Sequence, residues 1–217
     1  ETTVLASRLY SLTLDDYQGM RGIVVPGAFS ADDIAEFHRL AKICQERKAK
    51  QHQGPTSTDS KHVKIYLHNN SVIQTEAPAL LAKMHRTIAD ADSKEWKLFP
   101  EDEKEVKHRV VEYHTYTPGG GLTKPDHYDE GSLLTMVIMI IDPDDPEKGF
   151  TGGINQTWEK DGQMKSYPLK KGDCLIFPSH KFHSVTPVSS GCRNVIVTEF
   201  WEGKEGTKDI RQVVSVE

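Results

Sequence analysis

Between Arg109 and Trp201 the chain repeats one pattern: a short run rich in Val, Ile, Thr and aromatic residues, then a cluster of Gly, Pro, Asp or Ser. Seven such runs, at 109–117, 133–141, 153–158, 163–169, 173–177, 182–185 and 194–201, read as strands. The breaks are strong ones. Pro118-Gly119-Gly120-Gly121 and Asp142-Pro143-Asp144-Asp145-Pro146 separate runs, and Asp161-Gly162 is a hairpin signal. Many short strands at regular spacing close into a sandwich or barrel, so the expected fold class is mainly β. The reading is a double-stranded β-helix (a jelly roll, cupin-like) at about 109–202, with flanking α-helices in an N-terminal support at about 22–108.

The N-terminal part has a different texture. Gly22-Ile23-Val24-Val25-Pro26 is a short strand, and Ser30 caps a helix whose first turn carries Asp32 and Asp33. Ile34, Phe37, Leu40, Ala41 and Cys44 fall at helical spacing to about Arg47. Lys48 to Ser60 is polar with Gly54-Pro55 and reads as a loop, long enough to serve as a lid or binding loop. Val63, Ile65 and Leu67 alternate as a strand. Pro78 opens a second helix that buries Leu80, Leu81, Met84 and Ile88. Residues 1–21 read as an arm packed on the body or as a frayed end, Glu101 to Lys107 as a charged surface segment, and Gly203 to Glu217 as a tail packing back through Ile210, Val213, Val214 and Val216.

Composition narrows the function. A chain of 217 residues with 36% hydrophobic content buries a real core, and the expectation is one domain over 1–217. No run approaches the ~18 apolar residues of a membrane helix. The net charge of −5 has the wrong sign for tracking phosphates, so nucleic acid is not the expected partner. Cys44, Cys174 and Cys192 lack Cys-x-x-Cys spacing, which argues against a disulfide framework or structural zinc. Asn69-Asn70-Ser71 and Asn155-Gln156-Thr157 match the glycosylation pattern, with little weight in a chain of this length. No leader is visible, and the chain opens at Glu1 rather than Met, so the compartment is left open, as is the oligomeric state.

The chemistry concentrates between His127 and Arg193. Two residues apart on a strand, His127 and Asp129 would point to one face and grip one metal together. Alone, His-x-Asp is a weak signal. His183 lies 183 − 127 = 56 residues on, about five short strands, which in a rolled sheet returns it to the same cavity. Two histidines and a carboxylate are the ligand set of non-haem Fe(II) oxygenases. His180 competes for the distal position, and the Val185-x-Pro187-Val188 context favours His183. His114 shares strand parity with Tyr116 but is read as a packed or solvated histidine.

From about Arg109 to Trp201 the sequence resembles the Fe(II)- and 2-oxoglutarate-dependent dioxygenases, in particular the prolyl 4-hydroxylase-like branch. The resemblance rests on Tyr116-x-Pro118-Gly119, His127-x-Asp129, Phe150-x-Gly152-Gly153, Lys171-Gly172-Asp173 before Phe177-Pro178, His183-x-Val185-x-Pro187-Val188 and Gly191-x-Arg193. It implies Fe(II) held by His127, Asp129 and His183, with 2-oxoglutarate and O2 as cosubstrates, and leaves open whether ascorbate is required. It implies that Arg193, ten residues past His183, binds the far carboxylate of 2-oxoglutarate, a task suited to a guanidinium fork. Tyr116 would reach the cosubstrate. The strand after His-x-Asp lacks the second tyrosine of some relatives, and Thr135 is the substitute. Because Asp129 is present, hydroxylation is favoured over halogenation. The implied substrate is a prolyl residue of a peptide or protein, with a free amino acid or small metabolite as the rival. A non-catalytic cupin-like module or a zinc hydrolase leaves Arg193 unexplained.

Overall fold

The structure, a computed structural model, describes residues 12–50, 61–100, 106–124 and 126–207. In chain order its elements are α1 (Leu14–Gly19), β1 (Ile23–Val25), α2 (Ala31–Lys50), β2 (His62–Tyr66), a 3-10 turn (Asn69–Ser71), α3 (Val72–Glu76), α4 (Pro78–Glu95), β3 (Lys107–Tyr116) and β4 (Leu134–Met139). There follow β5 (Thr151–Gly152), β6 (Asn155–Trp158), β7 (Met164–Tyr167), β8 (Cys174–Pro178), β9 (His183–Val185), β10 (Val188–Ser190) and β11 (Arg193–Trp201). Each of the seven runs from Arg109 onward holds a strand. The short pieces β5 and β10, and helices α1 and α3, come without such a signal. The binding loop expected from Lys48 begins as the last turn of α2, and its residues 51–60 lie outside the described residues, as do 1–11, 101–105 and 208–217.

The strands form a six-stranded sheet in the order β1-β8-β4-β11-β3-β2, a three-stranded sheet β7-β6-β9 and a two-stranded pair β10-β5. All pairings are antiparallel. This is the double-stranded β-helix that the spacing predicts. Strand β11 lies at the centre of the large sheet, between β3 and β4, with Arg193 opposite Tyr116 and Glu199 opposite Thr135. Every residue of β4 is buried. Alternation explains why: Met136 and Ile138 belong to a core under the helices, while Val137 and Met139 belong to a second core between the sheets.

The helices cover the outer face. Ser30 caps α2, accepting from the Asp33 N–H while Asp33 accepts from the Ser30 N–H at 2.7 Å, and Ile34, Phe37 and Leu40 turn inward. Helix α4 starts on Pro78, which needs no N–H partner there, and buries Leu80, Leu81, Met84 and Ile88. Each such side chain contributes roughly 1.5–3 kcal/mol by leaving water. The buried carboxylate of Asp92 accepts from the N–H groups of Leu98 and Phe99, both at 2.8 Å, and so ends α4.

Two histidines sit in this outer layer. The rings of His85 and His108 are 5.9 Å apart, and His85 meets Phe200 edge-on at 5.0 Å. Burial pushes His85 down to about 4 and His108 down to about 3. An unfolded chain, with histidines near the usual ~6.5, therefore takes up protons first as the pH falls. Their contribution to stability is complete above that value and is lost as the pH drops toward 4. Urea midpoints should fall from pH 7 to pH 5, and a His85→Phe variant should lose less over that interval. An equal loss in both proteins would show that His85 does not carry the effect.

Candidate metal and anion site

Contrary to the expectation from spacing, His127 and Asp129 lie on a loop ahead of β4, not on a strand. The loop is held by single hydrogen bonds instead of a ladder. The Asp129 N–H donates to Ser179 O at 2.8 Å, and the His183 N–H donates to His127 O at 2.9 Å. Stitched in this way to the ends of β8 and β9, the loop brings three ligand atoms within 4.8 Å of one another. His127 Nε2 is 3.2 Å from Asp129 Oδ1, and His183 Nε2 is 3.6 Å from Asp129 Oδ2. His180 stands apart, accepting from the Gly131 N–H at 3.2 Å and packing on Tyr17 and Tyr128.

The surroundings of His183 and Asp129 favour their ligating forms. His183 Nδ1 donates to Lys181 O at 3.0 Å, leaving the Nε2 lone pair facing Asp129. Burial lowers the His183 pKa and favours the neutral ring. Burial alone would raise Asp129, but the two imidazoles beside it and the Thr135 hydroxyl hold it below the usual carboxylate range, so it stays ionised. Thr135 gives its only proton to Asp129 Oδ2 at 2.7 Å, and its oxygen is 2.9 Å from Ser179 Oγ. Thr135, expected as a second donor to the far carboxylate, lines the same cavity and spends its proton on Asp129.

At the far end of the same cavity lies Arg193, fully buried. Its Nη2 donates to Asn155 Oδ1 at 3.0 Å. Among the described residues its Nε and Nη1, and the Asn155 Nδ2, are buried donors without a partner. Burial lowers Arg193 only to about 10, so it stays charged at neutral pH. Tyr116 lies under the guanidinium, 5.1 Å from ring centre to Cζ, and burial pushes its phenol up to about 12. Gly153 makes room for the arginine. A Cβ there would come within 2.6 Å of Arg193 Cδ, and its φ of +61° suits glycine.

The cavity between the two ends is about 110 Å³, and His127, Asp129, His183, Thr135, Tyr116 and Arg193 all line it. Asn155 also lines it, although in sequence it showed only as a glycosylation triplet. At 6% exposure it is closed to that modification and belongs to the site. His114 is packed, as expected, but faces the cavity, and so do Glu112 and Glu199. Strand parity with Tyr116 and Arg193 is the signal that could have found them.

No family model matches the chain. A PKHD-type hydroxylase of Colwellia psychrerythraea (strain 34H / ATCC BAA-681) is 31% identical over 87 residues, 38% of this chain and 38% of that protein. The match therefore spans well under half of that relative. Among solved structures, a Pseudomonas putida prolyl-4-hydroxylase aligns with a TM-score of 0.58 at 18% identity, over 88% of this chain and 97% of that one. A viral collagen prolyl hydroxylase from Paramecium Bursaria Chlorella virus-1, solved with 2OG, gives 0.59 at 13% identity over 87% and 99%. A prolyl hydroxylase from Trichoplax adhaerens, in complex with a peptide of the hypoxia inducible factor oxygen degradation domain, gives 0.59 at 11% over 90% of each chain. The fold is that of these oxygenases.

Asp129→Ala should abolish stoichiometric binding of a divalent metal in titration calorimetry. Thr135→Val should weaken it about 10- to 100-fold, the usual effect of losing a hydrogen bond that orients a ligand. Tight binding by Asp129→Ala would remove this cluster as the metal site.

Proposed function

We propose that the chain is an Fe(II)- and 2-oxoglutarate-dependent dioxygenase that hydroxylates an unactivated C–H bond. The observation that carries the reading is the pairing of two ends in one cavity: three metal-ligating groups at one, and at the other a buried cation with unused donors. Buried N–H groups without partners are costly, so a site built with several calls for an anion. A carboxylate accepting from Arg193 and Asn155 would meet part of that need.

His127, Asp129 and His183 would hold Fe(II), the metal that this ligand set suits. Bound iron supplies the redox chemistry by which 2-oxoglutarate, O2 and R–H become succinate, CO2 and R–OH. The chain's own part is positional. Arg193 and Asn155 fix the far carboxylate, so that the 2-oxo end points toward the ligands. Thr135 and Lys181 O hold Asp129 and His183 in orientation. Phe177, 4.7 Å from the His183 ring, and Val137 and Val195 keep the intervening wall apolar.

The substrate is a prolyl residue of a peptide or protein in the leading reading, supported by the likeness to prolyl hydroxylases, one of them holding a peptide. A second reading, a free amino acid or other small polar metabolite, is favoured by Lys64, Glu112 and Glu199 in the cavity wall. A prolyl ring makes no use of such groups.

The deciding experiment is succinate release from 2-oxoglutarate with Fe(II) and O2, with and without ascorbate. Proline-rich peptides, free amino acids and no added substrate are compared. Stimulation by peptide supports the leading reading, and stimulation only by a small molecule supports the second. Arg193→Leu should raise the KM for 2-oxoglutarate about 100-fold or more, and Asn155→Ala about 5- to 20-fold, as expected for charged and neutral donors to a buried carboxylate. An absence of both turnover and 2-oxoglutarate binding would leave a ligand-binding module with no oxygenase activity.

A further inference from the structure

Glu112, His114 and Tyr116 alternate along β3 and all face the cavity. They form one chain of contacts. Glu112 Oε2 is 2.6 Å from His114 Nε2, and His114 Nδ1 is 3.1 Å from the Tyr116 hydroxyl. Lys64 Nζ, from β2, stands 3.5 Å from the same Glu112 oxygen, which favours an ionised carboxylate. A carboxylate accepts, so His114 carries its proton on Nε2. Its Nδ1 is then an acceptor with a single lone pair, faced by the Tyr116 hydroxyl at 3.1 Å and by His62 Nε2 at 3.0 Å.

This direction has a consequence at the anion end. The Tyr116 hydroxyl is engaged at His114, while the Arg193 guanidinium meets its ring. What Tyr116 offers there is its ring. Strand β3 lies between β2 and β11, and the register places His62, Tyr116 and Arg193 in one row. The His62 ring stacks on Tyr116 at 4.0 Å and 14°, and the Arg193 guanidinium lies over the tyrosine from the β11 side at 5.1 Å. A cation over a backed aromatic face is held in place without giving up an N–H. Its Nε and Nη1 stay available for a ligand.

We infer that Glu112 and His114 are positioning residues for dicarboxylate recognition: they turn the Tyr116 hydroxyl away, so that its ring, backed by His62, braces Arg193. Arg193 and Asn155 then supply the donors. The inference rests on the 2-oxoglutarate reading above and assigns Tyr116 a different part from direct donation to the cosubstrate.

The test compares 2-oxoglutarate with 2-oxopentanoate, which keeps the 2-oxo acid end and has a methyl group in place of the far carboxylate. Both are titrated by calorimetry into protein loaded with redox-inert Zn(II), so that no turnover is needed. The ratio of the two dissociation constants isolates far-carboxylate recognition from metal chelation. Tyr116→Phe should leave this ratio within about threefold, because the ring persists. Tyr116→Leu and His114→Leu should each lower it about tenfold, the former by removing the brace and the latter by freeing the phenol to move. Glu112→Gln should stay near the unmodified protein, since its amide oxygen still accepts from His114 Nε2.

A Tyr116→Phe ratio as low as that of Arg193→Leu would make Tyr116 a direct donor and overturn the inference. So would a His114→Leu protein that melts lower yet keeps the ratio, since the histidine would then serve stability alone. Equal affinity for both acids in the unmodified protein would overturn the 2-oxoglutarate reading itself.

Discussion

A guanidinium with no exposed surface can exist inside a protein only where its charge and its N–H groups are compensated, since the bare desolvation of an ion costs several kcal/mol. Arg193 is compensated in part by the Asn155 carbonyl and by the face of Tyr116. The remainder, Nε and Nη1, has no partner among the described residues. Much of the molecule serves this one group. Strand β11 carries it at the centre of the large sheet, β3 and β2 contribute the stacked rings, β6 contributes the amide, and Gly153 yields the space that a side chain would have filled.

The opposite end of the cavity obeys a related constraint. A buried carboxylate and two imidazoles must be presented together, although they come from segments 56 residues apart. The loop bearing His127 and Asp129 is short of backbone partners and takes them from residues beside His183, so the ligands are mutually located by the bonds that satisfy the loop. The segment just before His183 is secured in turn by α1. Gln18 accepts from the Phe182 N–H and donates to His180 O, and the buried Lys181 ammonium donates to Gln18 O at 2.7 Å. A helix of 6 residues far from His183 in sequence thereby steadies it.

The strands were legible because their signal is local. Period-2 alternation and turn residues are properties of neighbouring residues, so β3, β8 and β11 lie where the sequence places them. The capping box at Ser30 and the proline at the start of α4 are local too. What escaped was either too short to show a period, as with β5 and β10, or borrowed its stability from packing, as with α1 and α3. The strand conformation expected for His127-x-Asp129 failed for the same reason. Alternation does not show which neighbour will take the backbone hydrogen bonds.

By itself the sequence determined the residue types that chemistry requires, namely the pair of histidines, the aspartate and the arginine, and the alternation that sends Glu112, His114 and Tyr116 to one face. Only the tertiary structure decided which polar groups meet. Asn155 reads in sequence as a surface triplet, and becomes a partner of Arg193 because β6 is folded over β11 across the cavity. Thr135 could have served either end of the site, and its proton goes to Asp129 because the loop ahead of β4 brings that carboxylate within 2.7 Å. The physical reason is range. Propensity and periodicity act over a few residues along the chain, whereas a hydrogen bond depends on tenths of an ångström between groups that only the closed sheets bring together.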